Sequence, residues 1–234
     1  MSFKLQHLEL VPQTENAFAE YGILCHDLLD EWANGALSAA DLANAYKERY
    51  NVAVTQPFPP FPRDMPQKYY DAGLNYFASF AGFGDKNEIM SAEEKFQLRI
   101  GAHLFAGIAD LILRNRDTGA ITIIDHKSKS MASMKKDMGT FRKQLYTYAA
   151  HVKDKYGEFP AMLRFNMFRD DVFLDEPFSA QAYDDTMQWI ADTIDLILLE
   201  DDWLVSSSPY FCQYVCGVRH HCPVGEDIIF GTKR

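Results

Sequence analysis

The chain has 234 residues, 47% apolar, 24% charged and 14% aromatic, enough to fill a proper core and incompatible with a disordered, collagen-like or low-complexity polypeptide. No apolar run approaches the roughly 18 residues of a membrane span, the N-terminus lacks the basic-then-apolar profile of a signal peptide, and four cysteines are too few for a disulfide scaffold, so a reducing, cytoplasmic setting is expected. The formal charge of −10 repels nucleic acid and anionic membranes, so a polyanionic partner must be held by a local patch.

The first element is a helix over Phe18–Trp32, where Phe18, Tyr21, Leu24, Leu28, Leu29 and Trp32 recur at helical spacing. A second helix is predicted over Ser38–Tyr50, with Ser38 as N-cap. Five of the ten residues from Pro57 to Pro66 are proline, which no regular element can cross. A third helix follows over Tyr69–Phe80, closed by Gly82 and Gly84. The period then changes: Lys95–Gly101, His103–Arg114 and Ala120–Lys129 read as strands, joined by turns at Gly101 and at Asp117-Thr118-Gly119. Phe141–Tyr156 returns to helix, Met162–Arg169 reads as a strand and Ala180–Leu199 as a long amphipathic helix. From Asp201 onward an irregular tail is expected. The order implies an α/β protein with a central mixed β-sheet flanked by helices, one domain over residues 1–234 with the cysteine-bearing segment 201–234 packed on it.

The chemistry-bearing residues lie in the hairpin. Asp110 sits in Gly107-Ile108-Ala109-Asp110 and Asp125 in Ile124-Asp125-His126-Lys127. On a strand, Asp125 and Lys127 share one face while Ile124 and His126 share the other, and strand pairing brings Asp110 alongside. An acid between apolar neighbours is expensive to bury unless something pairs with it. Two acids and a lysine on one surface suit a hard divalent cation and a nearby anion. Taken alone, a D-x-K tripeptide reads as an ordinary charge pair at a sheet edge. Downstream, Gln144 and Tyr148 lie one helical turn apart on one face. Residues 114–143 carry eight Lys or Arg (Arg114, Arg116, Lys127, Lys129, Lys135, Lys136, Arg142, Lys143) against three Asp, a net +5 that leaves −15 on the rest. A basic surface beside an acid cluster is what phosphodiester cleavage needs, although a solvated helix face explains part of the run.

Four elements in order resemble the PD-(D/E)XK nuclease superfamily, in particular its RecB-type branch, which includes CRISPR-associated adaptation nucleases and phage exonucleases. They are Gly22-x-x-x-His26, Gly107-x-x-Asp110, Asp125-x-Lys127 and Gln144-x-x-x-Tyr148, spanning about residues 18–150. The resemblance implies a restriction-endonuclease-like core and a metal-dependent deoxyribonuclease, most simply an exonuclease or single-strand-preferring nuclease of a prokaryotic or phage-infected cell. It implies Mg²⁺ or Mn²⁺ held by His26, Asp110, Asp125 and the His126 backbone carbonyl. Lys127 would position the attacking water and stabilise developing charge, with Gln144 and Tyr148 bracing the site. Lys129, Lys135, Lys136, Arg142 and Lys143 would contact DNA without reading sequence. A homo-oligomer or DNA-processing complex is compatible; a membrane partner is not expected.

Cys212, Cys216 and Cys222 lie within eleven residues, and Pro223 follows. Such thiols can ligate a soft metal or a cluster. Several RecB-type nucleases have a similar C-terminal trio that joins an N-terminal cysteine around a 4Fe–4S iron–sulfur cluster, spaced C-x2-C-x5-C where this chain has C-x3-C-x5-C. That N-terminal cysteine belongs to a Cys-Pro segment, which the opening stretch Met1–His7 does not contain; the remaining cysteine, Cys25, adjoins His26. A zinc site completed by His220 or His221 and three reduced cysteines without metal are the other readings. Two rival functions differ in class: a non-catalytic DNA-end-binding or CRISPR-adaptation accessory protein of the same fold, and a cluster- or zinc-binding interaction protein. The intact Asp110, Asp125 and Lys127 argue against the first.

Overall fold

The computed structural model describes residues 1–205 and 208–230. Helix α1 (Ala17–Ala33) starts where the Asn16 side chain accepts the Phe18 and Ala19 amides, both at 3.1 Å, the usual stabilisation of orphan N–H groups. Helix α2 (Leu42–Ala53) begins later than the sequence suggests. Ser38 does not cap it; its hydroxyl donates to Asp41 Oδ2 at 2.6 Å, and Asp41 occupies the cap position. Helix α3 (Met65–Ser79) follows the proline segment, with Pro66 in its first turn, where a missing N–H costs nothing. These three helices bury Tyr21, Leu24, Leu28, Leu42, Tyr46 and Phe77 against one another.

The sheet has five strands in the order β1-β2-β3-β4-β5: β1 (Asn87–Ile100), β2 (His103–Asn115), β3 (Ile121–His126), β4 (Met162–Met167) and β5 (Val172–Pro177). It is mixed, with β3 and β4 parallel and the other neighbours antiparallel. The parallel pair requires a crossover, supplied by α4 (Met131–Lys136) and α5 (Met138–Tyr156). Helix α6 (Ala180–Leu199) packs beside α5 and has the bounds its periodicity predicts.

Three parts of the sequence reading are corrected. Strand β1 starts at Asn87, eight residues early, because Glu88, Ser91, Glu93 and Glu94 hide its apolar alternation. Strand β5, to which the sequence reading assigns no element, is an edge strand with Phe173 and Val172 exposed. The tail is helical, with α7 (Pro209–Tyr214), a short 3₁₀ turn and α8 (Pro223–Phe230).

Successive side chains of β2 and β3 are buried on opposite faces of the sheet, and this decides where the chemistry points. Ile112, Ile121 and Ile123 enter the core beneath α5 and α6, whereas Leu111, Leu113 and Ile124 enter a cluster with Phe83 on the opposite face. By the two-residue period, Asp110, Asp125 and Lys127 share the α5 face and His126 lies on the other. The tail meets the N-terminus: Leu5, Val11 and Met1 pack with Val218, Cys216 and Cys222. Among the described residues, no helix is long and apolar enough to cross a membrane.

Candidate active site

Strand pairing places Leu111 opposite Ile124, so the next pair outward is Asp110 and Asp125. The Asp110 Oδ2 accepts the His126 amide at 2.7 Å, a contact possible only where β2 and β3 diverge at their ends. Asp125 is fully buried. The Lys127 ammonium lies 2.7 Å from its Oδ2, and the Tyr148 hydroxyl also helps to stabilise its charge. Lys127 Nζ also donates to Gln144 Oε1 at 2.9 Å, and Gln144 Nε2 donates to the Tyr148 hydroxyl at 2.6 Å. Gln144 and Tyr148, one turn apart on α5, therefore continue a chain that starts at Asp125, and the lysine is held at both sides rather than left to search.

Helix α1 delivers His26. The approach is close: a Cβ on Gly22 would sit 3.3 Å from Ser128 Oγ, so glycine lets the helix lie against the segment leaving β3. His26 Nε2 is 3.1 Å from the His126 carbonyl oxygen, and Nδ1 is 3.7 Å from Asp110 Oδ2. The sequence reading missed Glu93, whose Oε1 is 3.6 Å from His26 Nδ1. Glu93 lies in β1 between the Ala92–Leu111 and Glu94–Ala109 pairs, with φ of 45°. A non-glycine residue in that region is strained and typical of functional positions. The acidic run Glu93-Glu94 ahead of an apolar strand was the available signal. Among the described residues, His26, Glu93 and Asp110 are the group whose ligand atoms all lie within 4.8 Å of one another.

The electrostatics suit a site that binds positive charge. Burial, then repulsion from Asp125, raises the Asp110 carboxyl to about 7. Burial also lifts Asp125 above the ordinary carboxyl range despite Lys127. For His26, burial opposes protonation, but Glu93, Asp110 and Asp125 outweigh it and raise its pKa. His126 goes the other way: burial, then the positive neighbours His26 and Lys127, holds its imidazole well below the usual value. Its ring stacks on Phe83 at 5.8 Å, and its Nδ1 is 2.9 Å from Asn166 Nδ2, which donates to the Tyr76 hydroxyl at 2.7 Å. Asn166 and Tyr76 were not foreseen; they anchor the end of β3, where the Lys127 amide donates to the Asn166 carbonyl at 2.9 Å.

The donor set of one imidazole, two or three carboxylates and a peptide carbonyl suits a hard divalent ion such as Mg²⁺ or Mn²⁺, and the fully buried Asp125 carboxyl fits a site that takes a cation. Asp125 itself is engaged with Lys127 and lies outside the three-residue group.

An open cleft of about 560 Å³ is lined by His26, Glu93 and Asp110 together with Gln144, Thr147, Tyr148, Lys143, Phe105, Ile108 and Trp189. Of the foreseen basic residues, Lys129, Lys135, Lys136 and Arg142 are exposed. Arg142 is already bound to Glu176 at 2.5 Å and Arg114 to Glu158 at 3.0 Å. The cysteines form a different locus. Cys212 and Cys222 are buried and Cys216 half-buried, close enough that Cys216 and Cys222, after burial, help raise the Cys212 thiol. Cys25 is fully buried in α1 beside Tyr21, away from this trio, and the N-terminal side chains packed on the tail are Met1, Leu5 and Val11, which offer no thiolate. A four-cysteine cluster does not fit the described residues.

No curated protein matches the chain. Among solved structures, the crystal structure of SSO0001 is similar at 17% identity over 95% of this chain and 93% of that one, with a TM-score of 0.36, too distant a likeness to bear on function. A family model described as the PD-(D/E)XK nuclease superfamily matches residues 1–223, a span that contains every element of the site and the whole sheet. The chain belongs to the PD-(D/E)XK nuclease superfamily.

Proposed function

We propose that the protein is a divalent-metal-dependent deoxyribonuclease of the RecB type that hydrolyses phosphodiester bonds as an exonuclease or on single strands. The observation that carries this reading is the meeting of His26, Glu93 and Asp110 in an open cleft, beside a lysine held by Asp125 and Gln144. Phosphodiester hydrolysis needs an oriented water, neutralisation of charge on the phosphoryl oxygens and in-line geometry. Bound by His26, Glu93, Asp110 and the His126 carbonyl, with Asp125 as a further ligand, Mg²⁺ or Mn²⁺ would supply Lewis-acid neutralisation.

The chain's own residues do the rest. The Lys127 ammonium, fixed by Asp125 and Gln144, orients the attacking water and meets the charge that develops on the phosphorane. Tyr148, through Gln144, keeps that lysine in one rotamer. His126 stays neutral, so it adds no competing cation beneath the site. The basic residues Lys129, Lys135, Lys136 and Lys143 hold phosphates and carry no sequence information. The tail cysteines have no part in this chemistry. A zinc site with His220 or His221, or an iron–sulfur cluster, would belong to the separate locus at the termini, and absorbance near 400 nm in anaerobically purified protein would reveal the latter.

The test is cleavage of linear and circular DNA, single- and double-stranded, with Mg²⁺, Mn²⁺ or EDTA. Asp125→Ala and Lys127→Ala should each lower the rate by at least about 10²–10³-fold while circular dichroism shows a native fold. Wild-type rates in either variant would put the chemistry elsewhere. Inert wild-type protein with every metal would favour the non-catalytic DNA-end-binding reading. Resistance of the circular substrates would identify an exonuclease.

A further inference from the structure

Part of the cleft lining is chemically unlike the His26, Glu93 and Asp110 group, and its aromatic and aliphatic side chains take no part in the phosphodiester chemistry. These side chains are Phe105, Ile108, Ile190 and Trp189. Trp189 is 41% exposed although tryptophan is among the side chains that gain most from burial. On α6 it adjoins the buried stripe of Thr186 and Ile190, so the helix holds the indole at the rim of the cleft while its neighbours anchor the turn. Its ring partner is a cation, the Lys143 ammonium, 3.5 Å from the ring centroid. Lys143 precedes Gln144, which grips Lys127, so the indole and the catalytic lysine are tied to the same turn of α5.

We propose that Trp189 and Lys143 form the seat for an unpaired nucleobase and its phosphate, making the cleft selective for single-stranded or frayed DNA; this rests on the nuclease reading. A π-face flanked by a positive charge and opening onto a phosphate site is the arrangement by which proteins hold single strands without reading sequence. An incoming base takes the indole face, and the ammonium moves from the ring to the phosphate that accompanies the base. The exchange is favourable because base–aromatic stacking exceeds an exposed cation–π contact and the displaced charge gains a phosphate partner. Size points the same way. A cleft of about 560 Å³ has the volume of a small-molecule pocket, room for a nucleotide or two. Ile108, 42% exposed on β2, adds apolar surface to the same cleft.

The deciding measurement is binding, which does not depend on turnover. A fluorescein-labelled oligothymidylate and a blunt duplex of equal length are titrated in EDTA into wild-type protein, Trp189→Ala and Trp189→Phe. Trp189→Ala should weaken single-strand binding about ten-fold and leave duplex binding within two-fold, while Trp189→Phe retains most of the affinity. Single-strand affinity unchanged by Trp189→Ala, or an equal loss on both substrates, overturns the proposal. Intrinsic fluorescence supplies a second reading without a truncated side chain: unlabelled oligothymidylate should quench the wild-type emission, and Trp189→Phe should abolish that quenching. Quenching that survives in Trp189→Phe also overturns it. The nuclease reading stands or falls separately, on cleavage by the wild-type protein in Mg²⁺ or Mn²⁺. Stacking without cleavage would refute that reading and keep the platform, and cleavage without stacking would do the reverse.

Discussion

Asp110 shows most directly how a single residue exchanges stability for chemistry. Its carboxyl is raised to about 7 by burial and then by Asp125, against about 3.9 in an unfolded chain. A carboxyl whose pKa is higher folded than unfolded favours the fold below about pH 4, and that contribution is lost as pH rises through 7. In metal-free protein, Asp110→Asn removes the charge while its amide oxygen can still accept the His126 N–H. The variant should therefore gain about 1 kcal/mol, or about 2–4 °C in Tm, at pH 8 and lose cleavage. A Tm equal to or below the wild type would mean that the acid is not destabilising the apo fold. The same titration governs metal uptake: protons compete for Asp110, so the affinity for Mn²⁺ measured calorimetrically should fall between pH 8 and pH 6. Asp110, Asp125, Lys127, Gln144 and Tyr148 could be singled out from spacing because strand and helix periods say which residues share a face. Glu93 could not, since it enters the site through a left-handed backbone within its strand, which no spacing rule marks.

At the scale of elements, the β1–β2 hairpin does more than carry Asp110. Gly107 faces Phe96 across the ladder, and a Cβ there would lie 2.5 Å from the ring. The bare backbone lets the Phe96 ring cover it, stack on His151 at 4.5 Å and meet Tyr148 edge-on at 5.9 Å. The glycine of Gly107-x-x-Asp110 thus supports Tyr148 as well as leading into the acid. Gly107→Ala should destabilise the protein by about 1–3 kcal/mol and reduce cleavage through a displaced Tyr148, readable as a lower denaturation midpoint and a lower turnover together. Stability at the wild-type level would show that the ring has room to shift. Helix α1 depends on a similar economy at Gly22, where contact with Ser128 sets how near His26 comes to the strand ends.

Over the whole molecule, charge is unevenly shared. The chain carries −10, yet Lys129, Lys135, Lys136 and Lys143 gather on β3's exit, α4 and α5, while Arg142 and Arg114 are taken up by Glu176 and Glu158. Four phosphate contacts on a single strand predict a slope of about −3 for log affinity against log salt. Lys135→Glu combined with Lys136→Glu should make that slope shallower by about 1–2, read by anisotropy from 50 to 300 mM salt as about the range used. A slope near zero would remove this patch from the interface. The termini are also joined: the Met1 amino group donates to the Leu204 carbonyl at 3.0 Å, the Thr14 amide to the Gly217 carbonyl at 2.7 Å, and Asn16 Nδ2 to the Val215 carbonyl at 3.0 Å. Asn16 therefore serves two elements at once, capping α1 and fastening the tail.

The sequence by itself determined the α/β class, the hairpin, the helix over Ala180–Leu199 and the ordered set of acids, lysine, glutamine and tyrosine, because hydrophobic period and i, i+2 or i, i+4 spacing are local properties written in consecutive residues. It left β5 and the first half of β1 unread, since an exposed edge strand and an acid-rich bulged strand carry little apolar alternation. Only the tertiary structure decided that Glu93 joins His26 and Asp110, that Gln144 holds Lys127, that Arg142 is already paired, and that Trp189 stands on the same cleft. Each of these is a meeting between residues far apart in the chain, and such meetings are set by the sheet order and by how closely helices approach it, which no local pattern encodes.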